Sequence, residues 1–136
     1  MKKYEFLEHT ADIKFRIFGR NLEEIFENCA LAFSELIGRG SIINDKIKKN
    51  IEVSGKDNES LLYNFIEELI YLLDADGFVV SKCEVTILGN KLNALVYGDS
   101  VENYKNLDYV KAATYAEMYV REIKKEKWEA QVVVDV

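Results

Sequence analysis

Two stretches of the chain hold residue types that could do chemistry. Glu8-His9-Thr10-Ala11-Asp12 places the one histidine and two carboxylates in a pentapeptide directly ahead of a strand pattern. Val132-Val133-Val134-Asp135-Val136 is an apolar run that closes on an aspartate and the last α-carboxylate. Carboxylate oxygens are hard donors, and two or three together suit Ca²⁺ or Mg²⁺, which complete their shells with water. Gathered without a cation, such groups repel one another and their pKa values rise, so an ion relieves the cluster. Each stretch also has a plain structural reading: Asp12 or Thr10 bonds backbone N–H groups in a turn, and His9 is a surface residue. Asp12 and Asp135 are far apart in the chain, and only a fold that joins their strands brings them together.

Other polar groups are better explained by the core. Cys29 falls on the apolar stripe of a helix and Cys83 in a strand with no histidine nearby, which describes structural thiols rather than nucleophiles. Two cysteines without a CxxC spacing and one histidine build neither a zinc cluster nor a disulfide framework. The helix starts at Asn21 and Ser60 lack the glycines of a phosphate loop. The 8 tyrosines and 7 phenylalanines fall mostly on apolar stripes without interleaved Arg or Lys, so they make a core and not a base-stacking platform.

The elements that must position the two acidic stretches can be read from periodicity. Ile13, Phe15 and Ile17 alternate with Lys14 and Arg16, the period of a half-buried strand ending at Gly19. Leu22, Ile25, Phe26, Cys29, Phe33, Leu36 and Ile37 then recur at helical spacing, with Asn21 as N-cap and Gly38 at the C′ position. Lysines 46, 48 and 49 lead into a short strand at Ile51–Val53 and mark it as a solvated edge. A second amphipathic helix carries Leu61, Leu62, Phe65, Ile66, Leu69, Leu72 and Leu73, capped by Asn58 or Ser60 and followed by Gly77. Beyond it, residues 78–88 and 91–97 flank a Gly89-Asn90 hairpin turn, and a polar loop covers 98–108. Two more strands, 110–121 and 130–134, are joined through the charged segment 122–129. The order predicts an α+β fold: a mostly antiparallel sheet with two amphipathic helices packed on one side.

Composition sets the outer bounds. The 136 residues suit one domain spanning 1–136, and at 49% hydrophobic they supply a core without metal or disulfide staples. Eighteen Lys and Arg against 24 Asp and Glu leave a net charge of −6, which argues against direct binding of a phosphate backbone. The N-terminus is charged and alternating, and no run reaches the roughly 18 apolar residues of a membrane span. A cytoplasmic protein is expected.

Three ordered motifs carry a resemblance. Glu8-His9-Thr10-Ala11-Asp12-Ile13, Val110-Lys111-Ala112-Ala113-Thr114-Tyr115, and Trp128-Glu129-Ala130 leading into Val132–Val136 resemble the archease family over essentially the whole chain. The Ser60-Leu61-Leu62 helix and the segment from Asp74 to Val79 resemble its middle section. The resemblance implies a protein that activates an RtcB-type RNA ligase in tRNA splicing, promoting its GTP-dependent guanylylation and multiple turnover. It implies an activator and no catalytic residue of its own, with GTP and tRNA met only through the ligase. By the same resemblance Asp12, Asp135 and the terminal carboxylate of Val136 hold a divalent cation, Ca²⁺ or Mg²⁺, while His9 and Lys111 stand on the partner or activation surface. Two positions depart from the family pattern: Ala116 stands where histidine is common, and Asp99 where glutamate is common. The rival readings are a small metal-dependent hydrolase using Asp12, His9 and Asp135, and a general chaperone or RNA-associated adaptor.

Overall fold

In a computed structural model that describes residues 2–7 and 12–136, the pattern resolves into β1 (Tyr4–Leu7), β2 (Asp12–Gly19), α1 (Leu22–Gly38), β3 (Ile47–Ser54), α2 (Asn58–Asp76), β4 (Phe78–Leu88), β5 (Lys91–Ser100), β6 (Ala112–Lys124) and β7 (Lys127–Asp135). The strands are antiparallel and the class is α+β, as the periodicity implies. They form two sheets rather than one, in the orders β1-β2-β7-β6 and β3-β5-β4. Both helices serve both sheets: α1 packs on β2 and β4, and α2 packs on β6, β4 and β3. Phe26 of α1 and Phe65 of α2 meet edge to face with centroids 5.3 Å apart, and both are fully buried. A single apolar cluster therefore runs from Phe15 and Ile17 through the helices to Val80 and Leu92.

Local chemistry explains most boundaries. Asn21 accepts from the Glu24 N–H at 2.9 Å and starts α1. At the other end Gly38 remains helical and Arg39 takes the left-handed turn at φ 48°, one residue beyond the expected cap. The α2 cap is Asp57, not Asn58 or Ser60. Its carboxylate accepts from Ser60 N at 2.8 Å while Ser60 Oγ accepts from Asp57 N at 3.1 Å, a reciprocal box built with serine. Gly77 closes α2 in the left-handed region. The charged segment 122–129 is not a connector, because β6 and β7 continue as a ladder to Lys124 opposite Lys127. At Gly98 a Cβ would stand 2.1 Å from the Val79 carbonyl oxygen, so β4 and β5 approach as they do only with glycine there.

Among the described residues three of the four sheet edges are blocked. Glu27 of α1 accepts the Val85 N–H of β4 at 3.0 Å, and Glu67 and Glu59 of α2 accept the Ala113 and Val120 N–H groups of β6 at 3.0 and 3.2 Å. Edge β3 carries Lys48 and Lys49, as expected for a solvated edge. The fourth edge is β1.

Candidate functional site

The register of β2 and β7 settles what spacing left open. Asp12, the first residue of β2, lies directly opposite Asp135, the last residue of β7, so the two acidic stretches meet at one rim of the four-stranded sheet. Ala112 opens β6 on the other side of Asp135, and the Lys111 N–H donates to the Asp135 carbonyl at 2.8 Å. Lys111 is exposed, Asp135 is half-buried, and Val136 follows it with 48% of its surface open. Four of the five residues singled out, Asp12, Asp135, Val136 and Lys111, are thereby gathered on three adjacent strand ends. His9 lies outside the described residues.

Like charges directly opposed across an antiparallel pair are destabilising. A hydrogen bond with Asp12 pushes the Asp135 carboxyl above the usual carboxylate range; burial and the Asp12 charge add to this, and Lys111 opposes it. Two carboxyls opposed in this way form a hard-oxygen pair whose repulsion a divalent cation would relieve. The donor chemistry fits such an ion. Among the described residues no three His, Cys, Asp or Glu side chains converge, so further ligands would come from water or backbone.

The rim rests on a polar network without a sequence signature. Between Thr114 and Tyr119 the ladder of β6 on β7 shifts register, and Glu117 in this bulge takes φ 54°. Its carboxylate pairs with Lys14 Nζ at 3.0 Å, and its carbonyl accepts from Gln131 Nε2 at 2.8 Å. Gln131 in turn accepts from Arg16 Nε at 3.0 Å. Lys14, Arg16, Gln131 and Val133 share the face of Asp12 and Asp135, and Gln131 and Val133 are buried there. Only alternation of charge along β2 pointed to this face, and nothing in the sequence marked the bulge.

Ala116 sits exposed within the bulge, away from the residue that opens β6 beside Asp135. Asp99 belongs to the other sheet. Its carboxylate accepts from Ser100 N, Asn103 Nδ2 and Tyr104 OH at 2.8, 3.0 and 2.9 Å, and so organises the turn at 101–104. Burial raises its pKa, but these donors together outweigh that and hold it below the usual range. Its role is structural. The thiols behave as expected: burial pushes Cys29 up, and Cys83 to about 12.

The archease protein family model matches residues 4–136. This chain belongs to the archease family. It is 41% identical to protein archease of Pyrococcus abyssi, with 100% of both chains covered. Protein archease of Methanosarcina mazei is 37% identical, covering 99% of this chain and 97% of the relative. The solution structure of Methanobacterium thermoautotrophicum protein 1598 is 29% identical, covers 100% of both chains and superposes with a TM-score of 0.79. No helix among the described residues of this archease-family chain is long and apolar enough to cross a membrane.

Proposed function

We propose that this archease-family protein is a metal-binding, non-catalytic activator of an RtcB-type RNA ligase in tRNA splicing, acting in the cytoplasm. The observation that carries the reading is the opposition of Asp12 and Asp135 at the sheet rim, on residues of the two terminal motifs that resemble the family's. Asp12, Asp135 and Val136 are the proposed ligands of Ca²⁺ or Mg²⁺; when bound, the ion supplies a positive charge at the rim suited to phosphate oxygens. The chain's own residues do the rest. Antiparallel pairing fixes Asp12 against Asp135, and the Lys111 amide holds the Asp135 backbone. The Lys111 side chain, exposed beside the pair, faces the partner; His9 is proposed for the same surface. GTP and tRNA are reached only through the ligase, where a cation near a triphosphate favours transfer of the nucleotidyl group.

The test is single-turnover guanylylation of the ligase with substoichiometric amounts of wild-type protein, Asp12→Ala or Lys111→Ala. Wild-type protein should stimulate strongly. Loss of at least about tenfold in Asp12→Ala supports the reading, whereas equal stimulation by both moves activation to another surface.

A further inference from the structure

The edge of β1 differs from the other three. Phe18 N donates to Lys3 O at 2.8 Å, which sets the parity of the β1–β2 ladder: residues 3, 5 and 7 turn their backbone groups toward β2. Tyr4 and Phe6 therefore turn their N–H and C=O groups outward. Among the described residues no helical glutamate or bulge covers them, and Lys2 and Lys3 precede the strand rather than lie within it, in contrast to β3, β4 and β6.

Two grooves border this edge where it lies against the C-terminal half of α1. One of about 430 Å³ has Leu31, Ile42 and Ile43 in its wall, and the other of about 490 Å³ has Leu7, Ile13 and Leu36. Ile42 stands at the lip with 87% of its surface exposed. A row of outward backbone groups beside apolar recesses is the recognition chemistry of an extended peptide: main-chain bonds hold it, and alternate side chains fill the recesses. The charge at the two ends is opposite. Lys3 precedes β1 as an exposed cation, Lys2 being paired with Glu5 at 2.8 Å, and Leu7 at the other end lies opposite Lys14, two residues from the Asp12–Asp135 rim.

We propose that the open edge of β1 and its flanking grooves form a strand-addition site for an extended segment of the partner protein, with apolar residues at alternate positions, an acidic residue over Lys3 and a basic residue beside the acidic rim. A second copy of the chain fits less well, because the self-pairing within β1 that uses the outward groups of both Tyr4 and Phe6 sets Glu5 against its own copy. The identity of the protein that supplies the segment rests on the ligase reading; the edge itself does not.

The test is residue-resolved amide exchange on the full chain. It is measured free, with stoichiometric ligase from the same organism, and with a synthetic peptide of alternating valine and threonine bearing glutamate at one end and lysine at the other, added to about 1 mM. In the ligase complex the Tyr4 and Phe6 amides should slow at least about tenfold, while Glu5 and Leu7, already bonded to β2, change little. A ligase complex that stimulates guanylylation but leaves Tyr4 and Phe6 unprotected overturns the inference and leaves the ligase reading intact. If the ligase neither binds nor responds, that reading falls and the peptide decides: slowing at the same two amides sustains the edge site, and none overturns it. Protection that rises with the protein's own concentration overturns it in favour of a second copy. Ile42→Asp, at an exposed lip, should keep the melting temperature and weaken binding by about tenfold; unchanged affinity removes the grooves from the site.

Discussion

Asp135 is held by its backbone in a position its side chain does not favour. It faces Asp12 across the β2–β7 pair, and its carboxyl titrates above the ordinary range because the two share a hydrogen bond. A group whose folded pKa exceeds its unfolded value contributes stability below the unfolded pKa, and that contribution is lost as pH rises through the folded value. The unfolded value is about 3.9, so without divalent ions the wild type should lose this contribution as pH rises above about 4, and the melting temperature of Asp135→Asn should rise relative to that of wild type over the same range. Saturating Ca²⁺ should raise the wild-type melting temperature at neutral pH and raise the variant's less. Thermal melts from acid to neutral pH, with chelator and with Ca²⁺, read both effects. Equal gains in the two proteins would remove Asp135 as a ligand.

Elements show what could and could not be read in advance. α1 and α2 were legible because their apolar stripes recur over several turns and Asn21 and Gly77 are strong end signals. The 122–129 stretch was not: past Val120 the β6 residues are exposed on both faces, so alternation, the usual mark of a strand, is missing. The division into two sheets was hidden for a different reason, since pairing of β2 with β7 joins opposite ends of the chain and leaves no local trace. The candidate rim was legible as two acidic motifs, with Lys111 offered only by the resemblance, but their meeting came only with the register. Helical glutamates were equally silent, because Glu59 and Glu67 look like an ordinary wet face until β6 is placed beside them. Glu67 accepts the Ala113 N–H one residue from the strand position opposite Asp135. Removing that acceptor should cost about 1–3 kcal/mol in Glu67→Ala, whereas Glu67→Gln keeps a carbonyl oxygen and should cost less. Urea denaturation of the two variants decides: equal losses would mean that water satisfies the edge and that α2 does not seal it.

At the scale of the whole molecule the two ends of β1 and the acidic rim lie within one sheet, while the overall charge is −6. A net negative protein is repelled by bare RNA and attracted by a basic, RNA-handling partner, so under the proposed function its charge favours a ligase over the ligase's substrate. Long-range attraction acts on encounter more than on the docked state, and salt screens it over about 8 Å at physiological ionic strength. The apolar recesses beside Leu36 and Ile42 are insensitive to screening and act after contact. The two contributions therefore separate in kinetics. Raising salt from about 50 to about 500 mM should slow association by about tenfold or more and change dissociation far less. Ile42→Asp should do the reverse, speeding dissociation while leaving the salt slope of association nearly unchanged. Stopped-flow association with the ligase, for wild type and Ile42→Asp across that salt range, measures both slopes. An association rate indifferent to salt would refute steering by the acidic surface. Tight, salt-sensitive binding of tRNA by the protein alone would refute the division of labour on which steering depends.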